Sequence, residues 1–243
     1  MHIQTELNPM PGIERIVLAA TAFAGLATLV LALAMLFIYP STATLSDGFR
    51  TPIIAFEFAK SEADLAFLAG SSETATRHRA DIDRGQHLDM VFPLAYGGLM
   101  ALLLVGLARK GVRSAWVGAC FALAIIPSDI RENLVMFNIT SALDRGQTSA
   151  DLLPALWSAT WIKWWCIAAS TGFVAFGSFR RQAWVSGGLA AMAATAIVLT
   201  WASNARPDIT EAMSLMVAGF FLYFAIQSMV ACKRTGLSVT PKR

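Results

Sequence analysis

A chain of 243 residues that is 56% hydrophobic and only 14% charged is not composed like a soluble domain, in which about a quarter of residues carry charge. The bilayer is the expected solvent. A pI near 8.9 does not point to nucleic acid, because the bases sit in short turns beside apolar segments, with no interleaved aromatics and no binding motif.

The first segment, Ile16 to Tyr39, is an apolar run of 24 residues with only Arg15 in front of it. It is too long for the apolar region of a secretory signal and reads as a retained helix, although Ser41-Thr42-Ala43-Thr44 follows it. The next stretch is neither apolar enough to span nor biased enough to be disordered. Thr51-Pro52 is a helix-start signal, Ser61-Glu62-Ala63-Asp64 resembles a capping box, and Gly70 ends the helix that would follow. Ile54, Phe58, Leu65 and Leu68 recur at near-helical spacing. From Glu73 to Asp83, acids and bases alternate so that Glu73 with Arg77, Arg77 with Asp81 and Arg79 with Asp83 can pair on a solvated helix.

Five further crossings follow: Met90 to Ala108, Ser114 to about Asn138, Ala155 to Phe179, Ala183 to Ala202 and Ala212 to Cys232. Each approaches or exceeds the ~20 helical residues that a hydrocarbon core requires. Small-residue pairs allow close helix approach: Thr21 with Gly25, Gly97 with Ala101, Ala168 with Gly172 and Gly187 with Ala191. The fold class is all-α: a six-helix transmembrane bundle, one domain over residues 1–243, with a helical extracytoplasmic cap at about residues 40–87.

Six crossings assign every charge to a side. The termini and the turns at Arg109-Lys110-Arg113 and Arg180-Arg181 carry 10 bases and 2 acids, Glu6 and Glu14. The opposite side carries 9 bases and 14 acids. Bases dominate every short loop on the first side, so both termini are expected in the cytoplasm. Cys120, Cys166 and Cys232 form neither a disulfide framework nor a Cys-x-x-Cys motif.

The third crossing interrupts this pattern. Ala115 to Pro127 contains no charge, and then Ser128-Asp129-Ile130-Arg131-Glu132-Asn133 brings three in quick succession. At 1.5 Å per residue, Asp129 stands roughly 24 Å above Arg113, and Lys163 roughly 25 Å above Arg180 on the next crossing. The two opposite charges therefore share a depth inside the core, which predicts an ion pair between Lys163 and Asp129 or Glu132. Asp129, Glu132 and Asn133 share one helical face, and Arg131 points away from Asp129. Pro127 removes the backbone bond to the Leu123 carbonyl, leaving an acceptor expected to face the same region.

Other groups converge on the same level: His87, Asp89 and Asp83 on the second crossing, Arg206 and Asp208 in the last turn, and Trp157, Trp161, Trp164 and Trp165 around Lys163. As acid, base or tuning groups, the candidates are Asp129, Glu132, Lys163 and His87. As substrate contacts they are Asn133, Arg131, Trp161, Trp164 and Arg206. Two alternatives stand beside these roles. Asp129, Glu132, Arg131 and Lys163 sum to zero charge and could be a structural salt-bridge layer, and the tryptophans could be an outer aromatic belt matching Trp116 and Trp184. His87, Asp83, Asp129 and Glu132 are the candidate metal ligands, but His2 is on the wrong side and no H-E-x-x-H or Cys pair occurs, so neither a metal nor a cofactor is expected. Ser128, His87 and Asp83 or Asp89 could be arranged as a triad, without a G-x-S-x-G context.

The D-x-x-E-N segment of Asp129, Glu132 and Asn133 on a proline-preceded helix resembles one in uncharacterised bacterial polytopic membrane proteins. The resemblance covers a dozen residues and implies a bacterial inner membrane but no activity. The leading expectation is a membrane-embedded site that binds or processes a lipid or another amphipathic small molecule. A proton- or ion-coupled transporter and a non-catalytic subunit or assembly factor are the alternatives. Membrane lipid is the expected partner, nucleic acid is not, and the sequence is silent on the oligomer.

Overall fold

The structure, a computed structural model, describes residues 12–41, 43–46 and 48–235. Glu6, Lys242 and Arg243 of the charge assignment, with His2 and Thr42, lie outside the described residues. Every regular element among those described is helical. The long helices are α1 (Gly12–Ile38), α3 (Glu73–Asp89), α4 (Phe92–Arg109), α5 (Ala115–Asp144), α6 (Leu153–Arg180), α7 (Trp184–Ala202) and α8 (Pro207–Arg234), and α2 (Pro52–Glu57) is short. Four stretches are long and apolar enough to cross a membrane: α1, the near-continuous α3 and α4 taken together, α7 and α8. Helices α5 and α6 are as long but more polar, because they carry the charges described below.

Six helices close a ring. In chain order, α4, α5, α6, α7 and α8 each pack on the next, α1 packs on both α4 and α8, and α4 also touches α6. The main core fills this ring with side chains such as Leu99, Leu104, Ala122, Ile125, Ala193 and Phe220. Small residues permit the approach at two seams. A Cβ on Gly25 would sit 2.9 Å from the Cα of Ala225, and one on Gly97 would sit 3.0 Å from Ile126. The expected Ala168 and Gly172 seam is different, since nothing lies within 4 Å of a Cβ placed on Gly172.

A second, smaller core lies at one end, where α3 extends α4 and α5 runs on to Asp144. It joins Phe56, Leu65, Leu68, Ile82, Met136, Ile139 and Leu156. The Thr51-Pro52 signal starts α2, as its fixed φ and missing N–H favour. The Ser61 signal starts a short 3-10 helix, Glu62–Leu65, rather than an α-helix. Asp64 accepts hydrogen bonds from the backbone of Lys60 and Ser61 and from the Ser61 hydroxyl, closing the turn locally. Glu62 anchors it to the α5–α6 connection: the Thr148 hydroxyl and the Ser149 amide donate to its carboxylate, and these bonds hold it below its usual titration range.

The expected i,i+4 pairs on α3 do not form. Arg79 turns inward instead, buried, to Asp144 and to the carbonyls of Leu68 and Gly70. A guanidinium with three acceptors in fixed positions gains more from them than from one solvated carboxylate. Only Arg84 with Asp81 remains as a surface pair on this helix.

Candidate functional site

Lys163 is the centre. It leaves the middle of α6 with 6% of its side chain exposed, and its ammonium meets three carboxylates. Its Nζ contacts Glu132, lies 3.0 Å from Glu57 Oε2, and lies 3.8 Å from Asp129 Oδ1. Two of these acids come from one face of α5, placed there by their spacing of three residues. The third comes from the last residue of α2, which the chain folds back into the ring.

Each acid has a distinct second partner. Tyr96, on α4, donates its hydroxyl to Asp129. Trp164 donates its indole N–H to Glu57 at 3.2 Å, and Thr160 donates to the Glu57 backbone carbonyl at 3.0 Å. The Trp164 ring also stands beside the Lys163 ammonium, 5.2 Å from centroid to Nζ, as a cation–π contact. Asp89, buried at the end of α3, lies close enough to feel Asp129, Lys163 and Glu57. Asn133 points toward Asp89 but completes no hydrogen bond with either amide atom among the described residues. Glu132 Oε1 and Trp161 Nε1 are likewise buried without a hydrogen-bond partner.

The wall around Glu57 is aromatic. Phe58 meets Trp161 edge-on at 5.6 Å and Trp157 at 6.3 Å, so the residue that follows α2 packs onto the touching tryptophans of α6. The far end of α2 is held by Glu211 of α8, which accepts from the backbone of Arg50 and Thr51 and from the Thr51 hydroxyl. Gln86 hangs below, between the Tyr39 hydroxyl at 3.2 Å and the Met136 sulfur at 2.9 Å.

The structure thus brings together Asp129, Glu132, Lys163, Asn133, Trp161 and Trp164. It leaves three candidates outside. His87 is exposed, with Nδ1 2.6 Å from the Asp83 carbonyl and its ring against Phe137. Arg131 lies on the exposed side of α5, nearly opposite Asp129 as the helical turn dictates. Arg206 is exposed and pairs with Asp208 in the α7–α8 turn. Pro127 and Leu123 also lie on the exposed side, so the freed backbone faces away from the cluster. No group of three or more His, Cys, Asp or Glu side chains suited to a metal occurs among the described residues.

Sequence reasoning missed Glu57 and Tyr96, and each left a signal. Glu57 is the only charge between Arg50 and Lys60, inside a strongly apolar stretch. Tyr96 is the only polar side chain between Asp89 and Arg109. Comparison with family models, with curated proteins and with solved structures returns no significant match.

Proposed function

We propose that this chain is a six-crossing inner-membrane protein whose buried cluster exchanges a proton and thereby opens and closes a site for a lipid or another amphipathic small molecule. The observation that carries this reading is the charge imbalance. One base, Lys163, faces Glu57, Asp129 and Glu132, with Asp89 behind them, and all are buried. Four carboxylates around one ammonium in a low-dielectric interior are stable only if part of the set carries protons. A neutral structural layer, for which Arg131 supplied the second base, loses that base to the outer face.

Glu57 is the moving part in this mechanism. Its carboxylate is the link between α2, six residues long, and Lys163 of a 28-residue helix. When the charge in the set is redistributed and the ammonium is drawn to Glu132 and Asp129, the Glu57 contact is lost and α2 is held by Thr160, Trp164 and Glu211. Withdrawal of α2 would lift Phe58 off the tryptophans and uncover Glu132 and Asn133, whose polar atoms suit a ligand with hydrogen-bonding groups. Asp129 and Glu132 then stand as proton acceptor and donor toward that ligand, with Lys163 holding its anionic part.

The six crossings are α1, α4, α5, α6, α7 and α8. The exposed sides of α5 and α6 are apolar, with Trp116, Phe121, Leu123 and Leu134 on one and Ile162, Trp165 and Phe176 on the other. Asp129, Glu132 and Lys163 are turned inward, while Arg131 is on the exposed side. The second core, with α2 and α3, forms the cap on the extracytoplasmic side, and the basic end faces the cytoplasm.

Infrared difference spectroscopy and tryptophan fluorescence on the protein in nanodiscs test this together. A carboxylic-acid band that titrates with pH, weakens in Glu132→Gln and shares its midpoint with a fluorescence change is the expected result. A cluster whose carboxyl band does not titrate, or titrates without any fluorescence change, is a structural charge layer, and the proposal fails.

A further inference from the structure

The end of the ring where α1 begins and α4, α6 and α8 finish holds a second feature, remote from Lys163. A groove of about 690 Å³ runs between these helices. Val17, Leu103, Leu107, Phe224 and Val230 are among its apolar walls. Arg109, Lys110, Arg181 and Arg234 stand at its rim, and Glu14 is the one acid among the described residues that line it. All four bases are exposed. Arg181 donates to the Lys110 carbonyl at 3.3 Å, which ties the α6–α7 turn to the α4–α5 turn.

Bases at helix C-termini are favourable on their own account, because they oppose the exposed carbonyl ends. That explains why Arg109 and Arg234 stand where they do. It does not explain an apolar-walled volume left open beneath them. Nor does the chain's own tail fit the charge, since residues 236–243 carry Lys242 and Arg243 and no acid.

We propose that this groove binds an anionic phospholipid, with the phosphate and headgroup on Arg109, Lys110, Arg181 and Arg234 and an acyl chain against the walls. An amphiphile with one negative head and one apolar tail matches both halves of the feature. The membrane supplies it directly, and basic pockets between transmembrane helices favour such headgroups. The role is independent of the proton-exchanging cluster, and either can fail without the other.

Two variants separate headgroup from tail. Arg109→Gln with Arg181→Gln removes half of the rim charge. Gly106→Leu puts a side chain into the groove at a position where a Cβ meets nothing within 4 Å, so the helix tolerates it. Native mass spectrometry of the intact chain in detergent, titrated separately with phosphatidylglycerol and phosphatidylcholine, gives the two affinities. The wild type is expected to prefer phosphatidylglycerol. The double variant should weaken that lipid by about fivefold per base removed while leaving phosphatidylcholine unchanged, and Gly106→Leu should weaken both. Equal affinities in the wild type, or a preference that survives both variants, would overturn the proposal. So would the same loss from Arg145→Gln with Arg206→Gln at the opposite end, or a gain in binding when residues 236–243 are deleted.

Discussion

Lys163→Met is the most informative perturbation, because methionine keeps most of the side-chain volume and removes only the charge. In the native protein the ammonium contacts Glu132 and lies 3.0 Å from Glu57 and 3.8 Å from Asp129. Deleting one partner of a buried ion pair costs about 3–5 kcal/mol, since the other charge is stranded away from water. For a chain of this size ~1 kcal/mol corresponds to about 2–4 °C, so the melting temperature should fall by roughly 6–20 °C. Thermal unfolding in nanodiscs, followed by tryptophan fluorescence, measures it. Adding Glu132→Gln removes one stranded acid and should recover part of the loss, which makes the two substitutions non-additive. A melting temperature within about 2 °C of wild type for Lys163→Met, or strict additivity in the double variant, would refute the cluster as described.

Tyr96→Phe, which deletes only the hydroxyl that donates to Asp129, should cost about 1–3 kcal/mol in the same melt, because a buried carboxylate loses its donor. Glu62 is held below the usual carboxylate range by the Thr148 hydroxyl and then the Ser149 amide, so the stability it contributes is fully present above the ordinary carboxylate value and is lost as the pH falls through its lowered one. Hydrogen exchange at the Ser149 amide should therefore speed up, relative to its intrinsic rate, only in that acidic window, and Glu62→Gln should abolish the transition. Reporter fusions should place the C-terminus and the Arg109–Arg113 and Arg180–Arg181 turns in the cytoplasm, and an active periplasmic reporter at the C-terminus would end the six-crossing reading.

Equal depth placed Lys163 opposite Asp129 and Glu132 from sequence alone, because helical rise is constant and an unpaired ammonium inside a bilayer is costly. The same arithmetic has no purchase on Glu57. That residue reaches the cluster through a short helix that folds back into the ring, and nothing in local spacing says how far such a segment penetrates. The reading of α3 failed for a related reason. Arg77, Arg79, Asp81 and Asp83 have the spacing of a solvated helix, but the partners that draw Arg79 inward are two backbone carbonyls and an acid 65 residues away. A local pattern records which groups could pair along one helix, not which distant acceptors outcompete them.

Arg131 shows how much turns on one orientation. With its guanidinium counted inside, two acids and two bases cancel, and the layer needs no purpose beyond register. The 3.6-residue turn that gathers Asp129, Glu132 and Asn133 on one face of α5 carries Arg131 to the other. Its place in the balance is taken by two more acids, Glu57 and Asp89, so the set that was neutral on paper becomes strongly acidic in space. An acidic set fixes register no better than a neutral one and is far more expensive to bury. Its place inside the ring, with one of its members on a helix of only six residues, is therefore an argument for the proposed proton exchange rather than for scaffolding.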